Sequence, residues 1–200
     1  MTRALIVVDV QRDFCEGGTL AASDTLSLLN PLREFIATSR QDSIKIVFTQ
    51  DWHPPNHNSF ATEGGPWPVH CVAGSPGAEL MPPLAAEAGD VIIHKGQTRE
   101  GAGYSGFEST PLAEQLRALA VDEVAVCGVA TEYCVRATAL DAAKAGFRVA
   151  VLTDLIRPVQ LSAVAPTLQE LTAQGIAITD SRSWQKIDQQ DLRHRQSSVR

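Results

Sequence analysis

Six short apolar runs, each rich in Val, Ile and Leu and free of polar alternation, constrain this chain more than any other feature. They lie at residues 5–8, 45–49, 91–94, 124–127, 149–152 and 176–178. Runs of this kind suit strands buried on both faces. Between them stand segments with helical spacing. After Ser23-Asp24 come Leu26, Leu28, Leu29, Leu32, Phe35 and Ile36; further helical patterns cover 112–119, 131–145 and 163–172. Gly146 and Gly175 follow the last two as stops. Alternating strands and helices predict an α/β fold with a parallel sheet, helices on both faces and right-handed crossovers. The alternation breaks at residues 54–90, a long Pro- and Gly-rich loop of the kind that usually carries function. One domain is expected over 1–184. The polar remainder, 185–200, reads as a frayed tail or a contact in a homo-oligomer.

Composition removes several function classes. The net charge of −6, with no basic stripe, disfavours nucleic acid as a partner. The apolar part of the amino-terminal segment is too short for a signal peptide, and no run approaches the eighteen or so residues of a membrane span. Four cysteines, at 15, 71, 127 and 134, form no CxxC pair and read as free thiols of a cytoplasmic protein.

Three of the five histidines fall within eighteen residues, in Asp51-Trp52-His53-Pro54-Pro55-Asn56-His57 and at His70. Imidazole and carboxylate together suit a divalent transition metal. Pro54 and Pro55 rule out a helical site, so these ligands belong to a loop. The alternative is a polar surface loop that happens to hold histidines.

In open α/β sheets, sites form beyond the carboxyl ends of the strands. Asp9, Asp51 and Lys95 follow the first three strands, and Cys134 follows the fourth by a short turn. Each has an ordinary reading: a turn acceptor for Asp9, a solvated charge for Lys95, a small buried hydrophobe for Cys134. Their coincidence at one sheet edge favours a pocket. Thr131 is the expected N-cap, placing Cys134 in the first helical turn, where free amides would lower its pKa and could hold an oxyanion. In water an Asp at ~3.9 is a poor base for a thiol at ~8.5, a gap of about 6 kcal/mol. The pairing works only in a shared, partly desolvated pocket that raises Asp9, with Lys95 lowering the thiol. A metal-centred enzyme in which Cys134 is inert, and a protein with a structural metal, stay open on these residues alone.

The chain resembles the nicotinamidase/pyrazinamidase branch of the isochorismatase-like cysteine hydrolases over roughly residues 3–180. The resemblance rests on Val7-Val8-Asp9-Val10-Gln11-Arg12-Asp13-Phe14, Asp51-Trp52-His53, Trp67-Pro68-Val69-His70-Cys71, His94-Lys95-Gly96, Tyr104-Ser105-Gly106-Phe107 and Gly128-Val129-Ala130-Thr131-Glu132-Tyr133-Cys134-Val135. It implies a three-layer Rossmann-like fold with sheet order 3-2-1-4-5-6, and a triad of Asp9, Lys95 and Cys134. It further implies an oxyanion hole from the Ala130 and Cys134 amides beside a cis Val129–Ala130 bond. Asp51, His53 and His70 would hold one divalent metal, zinc before iron or manganese. His57 matches a fourth ligand that only some members have. Phe14, Trp67, Tyr104 and Tyr133 would wall the substrate ring. Cys134 separates the chain from isochorismatase itself, and the metal set separates it from metal-free carbamoyl amidases. The implied reaction is hydrolysis of nicotinamide, and of pyrazinamide, through a Cys thioester, in NAD salvage.

Overall fold

The computed structural model describes residues 1–186. Strands β1 (Thr2–Val8), β2 (Lys45–Asp51), β3 (Val91–Lys95), β4 (Val121–Val129), β5 (Arg148–Arg157) and β6 (Ala177–Thr179) form one sheet in the order β3-β2-β1-β4-β5-β6. Every pairing is parallel. The order and the parallel sheet are those expected.

The pleat explains the unbroken apolar runs. Along β1, Leu5 and Val7 enter one core while Ala4, Ile6 and Val8 enter the other. Helix α1 (Thr25–Gln41) closes the first face with Leu28, Leu32, Phe35 and Ile36. Helices α2 (Leu112–Ala118), α3 (Arg136–Lys144) and α4 (Leu161–Ala173) close the second through Leu112, Leu116, Ala139, Ala142 and Leu171. Each buried Leu contributes about 1.5–3 kcal/mol. Gly128 is required where β4 crosses β1: its φ is +107°, and a Cβ there would stand 2.1 Å from the Val8 carbonyl oxygen.

Four local expectations change. Strand β5 runs well past 152, because a register shift between Val126 and Gly128 lets Gly128 pair with Ile156. Segment 131–145 is not one α-helix. It opens as a π turn, Thr131–Val135, before α3 begins. Thr131 does not cap it; Ala130 holds the N-cap position with no side-chain bond, and the Thr131 hydroxyl is buried within the protein. At the carboxyl end a helical turn over 181–186 seats Trp184 in the first core, with the Arg3 guanidinium carbon 3.5 Å from its ring centroid. Gln185 and Lys186 continue that turn, while 187–200, the rest of the expected tail, lies outside the described residues. Among the described residues no helix is long and apolar enough to cross a membrane.

Candidate active site

The parallel sheet delivers four reactive side chains to one edge. Asp9 follows β1 with φ +50°, and its amide donates to the Thr49 carbonyl at 3.1 Å. Asp51 ends β2 and is in register with Lys95 at the end of β3. Cys134 lies in the π turn after β4. Asp9 and Lys95 are almost wholly buried, and Cys134 is 6% exposed.

Lys95 is the hub. Its ammonium lies 2.8 Å from Asp9 Oδ2, contacts Asp51 Oδ1, donates to the Gly103 carbonyl at 2.7 Å and reaches Cys134 Sγ at 3.5 Å. Burial alone would push this ammonium down. Asp51, Asp9 and Cys134 outweigh burial and hold Lys95 well above its ordinary value, so it stays charged. For Asp9, burial outweighs Lys95, and nearby Asp51 adds to it; its carboxyl is raised. Asp9 Oδ1 also accepts from the Thr49 hydroxyl at 2.7 Å.

The thiol departs from expectation. Burial raises Cys134 well above its ordinary value; Lys95 opposes, and the charges of Asp9 and Asp51 add to the rise. Proximity to Lys95 and a helix start does not prevail over a buried site that already holds two carboxylates. Desolvation thus lifts the carboxyl and the thiol together, so each holds its proton more tightly than in water.

A second cluster adjoins the first. Donor atoms of Asp51, His53 and His70 lie within 4.8 Å of one another, all buried. His53 Nδ1 donates to the Gly96 carbonyl (2.9 Å) and His70 Nδ1 to that of Pro68 (2.7 Å). Both rings therefore turn Nε2 toward Asp51 Oδ2, at 3.3 and 3.9 Å. Asp51 splits its carboxylate, Oδ1 to Lys95 and Oδ2 to the histidines. Burial lowers His70, and Lys95 and His53 hold the carboxyl of Asp51 well below the usual range against the opposing effect of burial. Two imidazole nitrogens and one carboxylate oxygen form a donor set that fits a divalent transition metal. The donor atoms of Asp9, Asp51 and Cys134 also converge, but the Lys95 ammonium stands among them and occupies the place a cation would take.

His57 stays outside the metal triple. Its Nδ1 lies 2.6 Å from the Ser59 hydroxyl and 3.3 Å from the Ser59 amide. Its ring stacks on His53 at 4.0 Å between centroids, and burial and His53 hold it down at about 4.

The four aromatic residues expected around the substrate ring all line the pocket that joins the clusters, with Asp51, His53, His70, Ala130 and Cys134. Trp67 Nε1 donates to the Tyr104 hydroxyl at 3.1 Å and its ring meets Tyr133 edge-on at 5.3 Å. Phe14 faces His70 at 5.5 Å. The Val129–Ala130 peptide is cis.

Sequence reasoning missed the supports. Gln11 accepts from the Asp51 amide (2.8 Å) and donates to the Asp51 carbonyl (2.8 Å), clamping the residue that serves both clusters. Fully buried Phe60 forms a floor under His53, His57 and His70 at 5.3–5.7 Å. Gln11 lies within the segment around Asp9 and Phe60 between His57 and Trp67, yet neither residue type signals a site.

Gly96 supplies a test of the metal cluster. Its φ is +63°, and a Cβ would stand 2.3 Å from His53 Cε1. Gly96→Ala should displace the His53 ring and weaken metal binding ~10–100-fold. Competition for zinc against a chelator measures this directly, and an unchanged affinity would remove His53 from the ligand set.

Comparison with known proteins follows the same line. The isochorismatase domain model matches residues 3–183. The chain is 41% identical to the nicotinamidase/pyrazinamidase of Mycobacterium tuberculosis, over 90% of this chain and 99% of the relative. It is similar to the structure of Pyrococcus horikoshii pyrazinamidase in complex with zinc, with TM-score 0.87 and 45% identity over 90% of this chain and 99% of that one. It is also similar to the PnC1 structure of L. infantum in complex with nicotinate, with TM-score 0.84 and 40% identity over 90% and 93%.

Proposed function

The chain belongs to the isochorismatase domain family, and we propose that within it the protein is a metal-dependent cysteine amidase hydrolysing nicotinamide to nicotinate and ammonia, and pyrazinamide likewise. One observation carries this reading. The Lys95 ammonium lies between Asp9 (2.8 Å) and Cys134 Sγ (3.5 Å), in a pocket that also holds Asp51, His53 and His70.

Asp9 takes the thiol proton of Cys134, and the sulfur attacks the carboxamide carbon. The amides of Ala130 and Cys134 receive the developing oxyanion. Collapse breaks the C–N bond; Asp9 returns its proton to the departing nitrogen, and ammonia leaves a thioester. Asp9 then takes a proton from water, whose oxygen attacks the thioester carbon. The C–S bond breaks, Cys134 regains the proton from Asp9, and the carboxylic acid leaves. Lys95 keeps charge balanced as Asp9 alternates between forms. Phe14, Trp67, Tyr104 and Tyr133 hold the ring and exclude water.

Asp51, His53 and His70 would hold the metal, and the zinc of the P. horikoshii relative supports zinc as the ion. When bound, it supplies a Lewis-acid site for a ring nitrogen. His57 supports His53 by stacking. All four cysteines are free, which suits a reducing cytoplasm.

Ammonia release from a panel of amides tests the reading. Nicotinamide and pyrazinamide carry a ring nitrogen meta to the carboxamide carbon; benzamide has the same outline and none. Benzamide should fall behind by ~10² or more in kcat/KM, because a site built for a polar atom rejects the analogue lacking it. Equal kcat/KM in zinc-loaded protein would refute recognition of the ring nitrogen.

A further inference from the structure

Three pocket-lining residues, Leu20, Ala22 and Val159, belong to neither the triad, the metal cluster nor the aromatic wall. They come from two segments far apart in sequence, residues 20–23 and 158–160, which are tied to each other. The Ser23 amide donates to the Pro158 carbonyl at 2.8 Å, and the Ser23 hydroxyl to the Val159 carbonyl at 3.0 Å. The first segment hangs from the loop after Asp9: the Leu20 amide donates to the Asp13 carbonyl (2.9 Å) and the Ala22 amide to that of Phe14 (3.0 Å). The second is held by one side chain from the nucleophile turn. Glu132, two residues before Cys134, accepts from the Val159 amide with Oε2 (3.2 Å) and from the Gln160 amide with Oε1 (2.8 Å). Both carboxylate oxygens are thus used on consecutive backbone amides, at the start of α4. The turn that carries Cys134 has no side-chain cap of its own.

We propose that Glu132 is a positioning residue that fixes these two segments as an apolar lip over the pocket, and that the lip sets which ring sizes the enzyme accepts. The inference rests on the amidase reading above. With the carboxamide carbon at Cys134 and a ring nitrogen directed to Asp51, His53 and His70, the remaining ring edge meets Leu20, Ala22 and Val159. That edge tolerates hydrogen and has little room for a second fused ring while both ties hold. Charge matters as much as length. In Glu132→Gln one oxygen still accepts an amide, but the new NH2 group faces the other amide, donor against donor, and the clasp opens. A lip shifted by about 1 Å is enough to alter turnover strongly.

The test compares nicotinamide with quinoline-3-carboxamide, which adds a fused ring at the edge opposite the carboxamide, in zinc-loaded wild type, Glu132→Gln, Glu132→Asp and Ser23→Ala. In Glu132→Gln, kcat/KM for nicotinamide should fall ~10-fold, mainly through KM, while that for the bicyclic amide holds or rises, so selectivity falls at least tenfold. Ser23→Ala, which removes the hydroxyl tie to Val159 and keeps the amide tie to Pro158, should move selectivity in the same direction by a smaller factor. Glu132→Asp, still able to offer two acceptor oxygens, should recover part of it. The rate of Cys134 alkylation by iodoacetamide should stay within about twofold. Equal losses on both amides, with selectivity unchanged in Glu132→Gln and Ser23→Ala, would overturn the proposal, as would a loss confined to kcat with slowed alkylation. Wild-type protein that releases no ammonia from nicotinamide would instead refute the amidase reading itself.

Discussion

Cys134→Ala should lower kcat for nicotinamide by ~10⁴-fold or more while the fold survives. In the proposed mechanism the sulfur is the atom that bonds to carbon, and no other described cysteine lines the pocket to replace it. Cys15, Cys71 and Cys127 are fully buried, and none of them lines the pocket. Losses of this size are typical when a covalent nucleophile is removed. Cys134 also packs in the second core, so the variant opens a small gap, at a cost of about 1 kcal/mol. Ammonia release and a denaturation curve on the same sample separate the two effects. Turnover above a few per cent of wild type would sink the covalent mechanism and favour an enzyme centred on its metal. Iodoacetamide should reach Cys134 before the other three thiols. The reason is access from the pocket, with Lys95 beside the sulfur, since burial raises the thiols of Cys15, Cys71 and Cys127 as well.

Asp9→Asn should lose nearly as much rate as Cys134→Ala, and the double variant should lose little more than either alone. Residues that act on one proton fail together, so their effects do not multiply. Asn keeps the shape of Asp9 and its bond with Thr49 but cannot hold the proton. It also leaves Lys95 paired with Asp51. Lys95→Ala is a poorer probe, because it strands two buried carboxylates against each other, and breaking such a group costs about 3–5 kcal/mol of stability. Single-turnover ammonia release across wild type, both single variants and the double variant decides the matter: independent, multiplying losses would show that Asp9 and Cys134 are not one unit.

Much of this site is legible in the chain because a parallel sheet is a simple addressing device. A residue just past an apolar run lands at the same edge as its counterparts, whatever lies between. That is why Asp9, Asp51, Lys95 and Cys134 group together on the chain alone. The histidines declare themselves by residue type, and the aromatic residues by the motifs around them. The supports are silent for the opposite reason. Gln11, Phe60, Gly96 and Thr49 work through a backbone clamp, a packing surface, an absent Cβ and a single hydroxyl, none of which forms a local pattern. The lip is the extreme case: Leu20, Ala22 and Val159 are ordinary apolar residues until Ser23 and Glu132 bring them to one rim.

By itself the sequence determined the six-strand frame, the edge where chemistry collects and the chemical types of its groups, since periodicity and residue identity are local properties. Only the tertiary structure decided their electrical state and orientation. The direction of the Cys134 and Asp9 shifts depends on how completely each is desolvated and how many charges share the cavity. The setting of the His57 ring depends on Ser59, which meets it through hydroxyl and amide, and the turn that carries Cys134 depends on Ala130 accepting from both Tyr133 (3.1 Å) and Val135 (3.2 Å). These are sums over neighbours that come together only when the chain has folded.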